Sequence, residues 1–241
     1  MQAYNRDRIG LFLSQDSACS YLPQRQARNL LVTPSDASQE CYSHLIALGF
    51  RRSGAYIYRP HCLDCAACIP LRIPISAFQP NRAQRRCQRA NADVRLSIHA
   101  ATFSAEHYQL YQRYLDIRHP HGGMDNEGSA GYRALLHSPW QDTRLWEFRA
   151  DGRLLGVSIV DHFDNSLSAV YTFFDPDEER RGLGTYAILR QIAEARRQAL
   201  SWLYLGYWIA ENKKMAYKHH LRPYQLFRAG HWRDPVSRPL P

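Results

Sequence analysis

The sequence predicts an α/β protein of the α+β kind, with a mixed, largely antiparallel sheet and a cysteine-rich N-terminal region. Three observations predict it. The second half reads in the order hairpin, strand, glycine-rich turn, long helix, strand, short helix. All six cysteines fall before residue 88 and none after it, so the two parts of the chain answer different chemical demands. No internal repeat or low-complexity tract interrupts either part, and 45% hydrophobic with 22% charged residues is a globular composition. The break is placed near residues 95–104, giving a cysteine-rich unit over 1–100 and a second unit over 101–241.

The elements follow from local pattern. "TPSDASQECYSHLIALGF" predicts a helix entered after Pro34, with Cys41, Leu45 and Leu48 on one face and Gly49 ending it. "GAYIYRP" is a short strand leading into the cysteines. "CIPLRIPI" predicts an edge strand, because Pro70 and Pro74 cannot donate to a ladder. Ser104 is the N-cap for "SAEHYQLYQRYLDIRHP", an amphipathic helix with Tyr108, Tyr111, Tyr114 and Leu115 at helical spacing. "TRLWEFRA" and "RLLGVSIVDHF" form a hairpin around the Asp151–Gly152 turn signal. "NSLSAVYTFFD" is a third strand. "ERRGLGTYAILRQIAEARRQAL" is a glycine-rich loop running into a long helix. "SWLYLGYWI" is a buried strand, and "ENKKMAYKHH" a short basic helix.

Composition narrows the partners. The N-terminus lacks the apolar run of a signal peptide, and the longest apolar stretches reach about half the ~20 residues that span a bilayer. A cytoplasmic protein is expected, with its cysteines as thiols or ligands rather than disulfides. The net charge is +9, from 31 Lys and Arg against 22 Asp and Glu. A polyanion partner accounts for it, and so does a generically basic enzyme. The segment "NRAQRRCQRAN" concentrates Arg82, Arg85, Arg86 and Arg89 with no acid among them. It suits a nucleic-acid backbone or a solvated helix face.

Two motifs carry chemistry. In "RPHCLDCAACIP", Cys62, Cys65 and Cys68 stand at even spacing, like part of an iron–sulfur run short of its fourth ligand. A packed set of reduced thiols fits the same residues. A catalytic thiol is the weakest reading, since His61 is the only imidazole adjacent in sequence. Cys41 is assigned to the core and Cys87 to the basic segment without a role. In "RRGLGT", Gly182 and Gly184 let backbone N–H groups face a phosphate at a helix start. A strict acetyl-coenzyme A loop needs Arg or Gln where this chain has Glu179. A phosphate contact of some kind is therefore favoured over coenzyme A, beside the plainer reading of glycines that allow tight packing.

The order of elements in the second half resembles the GNAT acyltransferase fold, in which two central strands splay around an acyl donor and an amine. Five separated motifs resemble the bacterial aspartate/glutamate leucyltransferases, relatives of the arginyl-tRNA–protein transferases. They are "CSYLPQRQARN" (19–29), "LGFRRSGAYIYRPHCLDCAACIPLRI" (48–73), "LSAVYTFFDP" (167–176), "LGTYAIL" (183–189) and "YLGYWIAENKKMAYK" (204–218). The resemblance implies transfer of leucine from Leu-tRNA to the N-terminal amine of proteins that begin with Asp or Glu, marking them for degradation. A coenzyme-A-dependent N-acetyltransferase and a non-enzymatic RNA-binding module are the alternatives.

On that reading Asp175, Tyr171 and Tyr207 are expected at the cleft as weak base and oxyanion donors, although a turn or core role fits each as well. An acidic acceptor calls for an arginine fork, and Arg51, Arg52, Arg59 and Arg72 are the candidates. Lys213, Lys214 and Lys218 are assigned to tRNA phosphates. The resemblance adds Cys19 as a fourth thiol to Cys62, Cys65 and Cys68, for zinc or an iron–sulfur cluster. Leu22 stands where the relatives' second cysteine would fall, which leaves the metal open. The transfer step itself requires no cofactor.

Overall fold

The structure, a computed structural model, describes residues 8–118 and 128–235. The first part of the chain forms β1 (Leu11–Leu13), β2 (Ser17–Ala18), β3 (Gln26–Ala27), β4 (Asn29–Val32), α1 (Gln39–Ile46), β5 (Arg51–Ser53), β6 (Tyr56–Pro60), β7 (Ile69–Pro74), α2 (Arg82–Ala90) and β8 (Arg95–Ala100). Then come α3 (Ala105–Arg118), α4 (Gly128–Leu136), β9 (Thr143–Ala150), β10 (Arg153–Phe163), β11 (Ser166–Phe174), α5 (Leu183–Arg197), β12 (Trp202–Trp208), α6 (Lys213–Ala216), β13 (Gln225–Arg228) and β14 (His231–Arg233). His119 and Pro120, the end of the helix expected over 104–120, lie outside the described residues.

An eight-stranded sheet runs in the order β14-β13-β7-β12-β11-β10-β9-β8. Its pairs are antiparallel except β11 with β12. A second sheet, β1-β4-β6-β5, lies beside it. The Asp151–Gly152 turn joins β9 to β10 with φ of 48° and 79°, the left-handed pair that matches the twist of a hairpin. Two strands from before residue 100, β7 and β8, belong to the large sheet.

The expected edge strand is interior. β7 lies between β12 and β13. It tolerates its prolines because β13 pairs only with Leu71 and Arg72, between them. In α1 the Ser38 side chain accepts from the Cys41 N–H, and Cys41 and Leu45 are buried as expected. Leu48 falls past the helix end and is exposed.

Three clusters hold the layers together. On one face of the large sheet α5 sets Leu183, Tyr186, Ile188 and Ile192 against Trp146, Leu155, Leu167 and Leu203. On the other, α3 and α4 set Leu110, Tyr111 and Tyr132 against Val157, Ile159 and Phe173. A third cluster joins Tyr42, Leu45 and Ile57 of the small sheet and α1 to Tyr204 of β12. Each fully buried large apolar side chain contributes about 1.5–3 kcal/mol, so the small sheet is fixed onto the large one.

Candidate active site

The parallel ladder between β11 and β12 is short: Ser166, Leu167 and Ser168 face Trp202, Leu203 and Tyr204. Past Ser168 and Tyr204 the two strands have no partner across from them and a gap opens. A bulge in the β10–β11 ladder at Val170 turns β11 at that point. Here the large sheet has the splay of the GNAT-like acyltransferase fold, as the element order predicted.

Arg51 fills the root of the gap. It comes from β5 of the small sheet, and its Nη2 donates to the carbonyls of Ala169 at 3.0 Å and Val170 at 3.2 Å. On the opposite strand the guanidinium lies against the Cα of Gly206, whose φ is 71°; any Cβ there would collide with it. So β11 gives its carbonyls and β12 its glycine to one cation. The Arg51 Nη1 is buried and has no hydrogen-bond partner among the described residues.

The field of that cation reaches Tyr21, Tyr42, Tyr58, Tyr207 and Lys218. Burial raises all four phenols above their ordinary range, Tyr21, Tyr42 and Tyr207 well above it, and Arg51 pulls them back only in part. The Tyr58 and Tyr207 rings meet edge to face at 6.4 Å, and the Tyr207 hydroxyl donates to the Gly49 carbonyl at 3.3 Å. Lys218 is buried, with Nζ donating to the Tyr207 carbonyl at 2.7 Å. Burial first and Arg51 second push its ammonium down to about 7.

Several expected roles do not survive this geometry. Arg52 points into the protein: Nε and Nη2 each sit 2.7 Å from an Asp161 oxygen, both side chains are fully buried, and Thr143 donates to the same carboxylate. It cannot meet a peptide. Arg72 is stacked 3.5 Å from Trp202 and 4.4 Å from Trp232 and forked onto Gln225, a bracing role between β7 and β13. Lys218 is not on the surface, so it is no phosphate contact.

Asp175 caps the turn after β11 and is 4% exposed. Its Oδ1 accepts from the Asp177 N–H, and Arg113 and Arg153 flank it at 3.4 and 3.2 Å. With both oxygens engaged it is a cap rather than a base. Tyr207 spends its proton on Gly49. Tyr171 is half-buried beside the gap, its ring edge-on to Tyr111 and Tyr114. Arg59 donates to the Leu48 carbonyl and lies over Phe50. Lys213 and Lys214 are exposed on α6, Lys214 reaching the Arg118 carbonyl at 2.9 Å.

The glycine loop is spoken for. Gly182, at φ 62°, receives Cys87 beside it, and Gly184 is held against Phe174. Arg181 is forked onto Asp93 and also pairs with Glu178, which pairs with Arg153; Glu179 faces Arg118. Three successive acids, Asp177 to Glu179, precede the helix. The loop fits tight packing better than a pyrophosphate.

The thiols of Cys19, Cys62, Cys65 and Cys68 lie close enough to influence one another: burial, then the other three sulfurs, push the Cys68 thiol up to about 12. They are not gathered as ligands. The Leu22 N–H donates to Cys19 Sγ at 3.4 Å and Cys62 Sγ donates to the Arg28 carbonyl at 3.7 Å. Among the described residues no group of three or more His, Cys, Asp or Glu is placed to hold a metal ion.

Sequence reasoning missed Tyr21, Tyr42 and Tyr58 as the shell of Arg51. Tyr21 and Tyr58 sit inside quoted motifs, yet alternation alone makes them core aromatics.

Two family profiles, described as "Arginine-tRNA-protein transferase, N terminus" and "Arginine-tRNA-protein transferase, C terminus", match residues 17–86 and 106–228. The chain belongs to that family. Among its relatives, the aspartate/glutamate leucyltransferase of Pseudomonas savastanoi pv. phaseolicola is 46% identical over 226 residues, 93% of this chain and 96% of its own. The enzyme of the same name from Nitrosococcus oceani is 47% identical, over 92% of this chain and 94% of its own. This arginine-tRNA-protein transferase family member is thus an aminoacyltransferase of the branch that carries the leucyltransferase name. Among solved structures, FemX aligns at 11% identity with a TM-score of 0.49, over 78% of this chain and 66% of its own. L-PGS from Bacillus licheniformis aligns at 9% with 0.47, over 75% and 53%. Among the described residues no helix is long and apolar enough to cross a membrane.

Proposed function

We propose that this enzyme transfers leucine from Leu-tRNA to the N-terminal amine of proteins beginning with Asp or Glu, in the cytoplasm, and so marks them for degradation. The relatives' name, carried over 92–93% of the chain at 46–47% identity, supports the reaction. The observation that carries the site assignment is the buried, unpartnered Nη1 of Arg51 at the root of the gap.

The chemistry asks little of the protein. The aminoacyl ester is already activated, and an α-amine with a pKa of about 7.7–8.0 is partly neutral at physiological pH. The amine nitrogen attacks the ester carbonyl, the new C–N bond forms, and the C–O bond to the terminal ribose breaks. The ribose oxygen leaves with the proton the amine gives up. No acyl-enzyme and no cofactor is needed. Holding the two reactants in line supplies several kcal/mol, about 7–11 at best.

In this reading the free Nη1 of Arg51 donates to the acceptor's acidic side chain. A buried, charge-assisted hydrogen bond of that kind separates Asp and Glu from uncharged residues. Arg59, half-buried on the next strand of the small sheet, is the second cation within the N-terminal part. Tyr171 lines β11 beside the reacting groups, and Lys213 and Lys214 face the donor.

The test is incubation with Leu-tRNA and peptides beginning with Asp, Glu or Ala, read by mass. Leucine should add to the first two only. In Arg51→Lys the charge persists without the fork, so KM for acidic peptides should rise about tenfold or more while tRNA binding holds. Unchanged discrimination in that variant would remove Arg51 from the role. A coenzyme A thioester should support no transfer.

A further inference from the structure

The arginines of α2 have no part in the site so far. Asn81 and Gln84 close a reciprocal cap on the helix, each backbone N–H donating to the other's side chain at 2.8 and 2.9 Å. Gln84 is buried, and Cys87, Gln88 and Asn91 continue its face at helical spacing toward the protein. Arg82, Arg85, Arg86 and Arg89 repeat the same spacing on the opposite face, and all four are exposed.

Several arginines elsewhere in this molecule are paired with carboxylates. Arg28 pairs with Asp16, Arg144 with Asp142, Arg149 with Glu106 and Arg197 with Glu194. Among the described residues none of the α2 four has a carboxylate; Arg85 donates to the Pro80 carbonyl. Four uncompensated charges thus share one stripe about 10 Å long, at 1.5 Å per residue. The stripe holds no aromatic residue on which an unpaired base could stack.

The position of α2 adds to this. Asn91 Nδ2 donates to the Arg181 carbonyl at 2.7 Å, and Cys87 lies beside Gly182, in the loop that follows β11. Gln84 Nε2 donates to the His220 carbonyl at 3.1 Å, two residues past the lysine that holds the end of β12. The helix therefore bridges the segments that follow the two arms of the gap, at its open end.

We propose that α2 is the docking surface for the paired stem of the donor RNA, with backbone phosphates on Arg82, Arg85, Arg86 and Arg89. This rests on the transfer reaction proposed above. A helical stripe of cations without stacking platforms reads the phosphates of a duplex rather than the bases of a single strand.

The experiment uses the full chain with all four arginines changed to Glu, and a second variant with all four changed to Gln. A third, with all four changed to Lys, keeps the charge. Circular dichroism establishes the fold of each. Filter binding of tRNA across salt should lose about 3 from the slope of log affinity against log salt in the Glu and Gln variants, since each phosphate contact adds ~0.7–0.9. KM for Leu-tRNA should rise at least about tenfold, as weakened phosphate contacts predict. Transfer from leucyl-adenosine, which has no stem, should stay unchanged, and the Lys variant should match the parent chain.

A salt slope and KM unaltered in a folded Glu variant would overturn the proposal. So would loss of binding to anionic phosphatidylserine vesicles with tRNA binding intact, which would make α2 a lipid surface. If the parent chain moves leucine from neither donor, the reaction reading has failed instead, and the salt slope still judges the helix.

Discussion

Lys218→Met tests the electrostatics of the gap. Lys218 is buried beside Arg51, and its ammonium falls from an ordinary 10.5 to about 7. The unfolded chain takes up the proton as pH drops below 10.5, while the folded chain waits until about 7. The lysine therefore costs the fold nothing above 10.5, progressively more as pH falls, and about 5 kcal/mol once below 7. Methionine is similar in length and carries no charge. It removes that cost but leaves the Tyr207 carbonyl, now holding Nζ at 2.7 Å, without a donor. The orphaned carbonyl costs about 1–3 kcal/mol at any pH. Lys218→Met should thus be more stable than the parent at pH 7 by about 2–3 kcal/mol, and the advantage should shrink by about 3 kcal/mol by pH 9.5. Urea unfolding of both proteins at the two pH values reads this directly. A difference that does not change with pH, or a variant less stable at pH 7, would refute a desolvated lysine at this place.

Other consequences are simpler to read. Arg52→Ala strands the fully buried Asp161 carboxylate and should destabilise by about 3–5 kcal/mol in chemical unfolding, with any lost activity tracking the unfolded fraction. Asp175→Asn should cost about 1 kcal/mol as a weakened cap and leave the rate of transfer nearly in place; a loss of kcat of about a hundredfold or more in the folded variant would restore Asp175 as the base. Metal analysis of purified protein should find zinc and iron well below one equivalent, with transfer indifferent to a chelator. A stoichiometric metal released only on unfolding would mean that the four thiols close around it.

Much of the fold was legible because its signals are local. Asp151–Gly152 needs two residues at positive φ and marks its hairpin, and the run from 183 to 197 keeps one apolar face for fifteen residues. The place of β7 was not legible. Its prolines argue for an edge, and only the shortness of β13 lets them sit inside the sheet.

The site divides in the same way. Arg51 and Arg52 are neighbours of the same type, so sequence ranks them alike. The alternation of β5 sends one into the gap and the other onto Asp161. Asp175 and Lys218 carry the right chemistry in the right motifs, but long-range partners, Arg113 and Arg153 for one and Tyr207 for the other, decide what they do. The four thiols share a neighbourhood without ligand geometry, which even spacing does not reveal.

The most direct measurement compares the parent chain with Arg51→Lys on Leu-tRNA and peptides that differ only in an N-terminal Asp, Glu or Ala, by mass. The parent should add one leucine to the acidic peptides alone, and the variant should lose most of that preference while still binding tRNA. Leucine added equally to all three peptides by the parent, or an undiminished acidic preference in the variant, would contradict a buried guanidinium reading the acceptor.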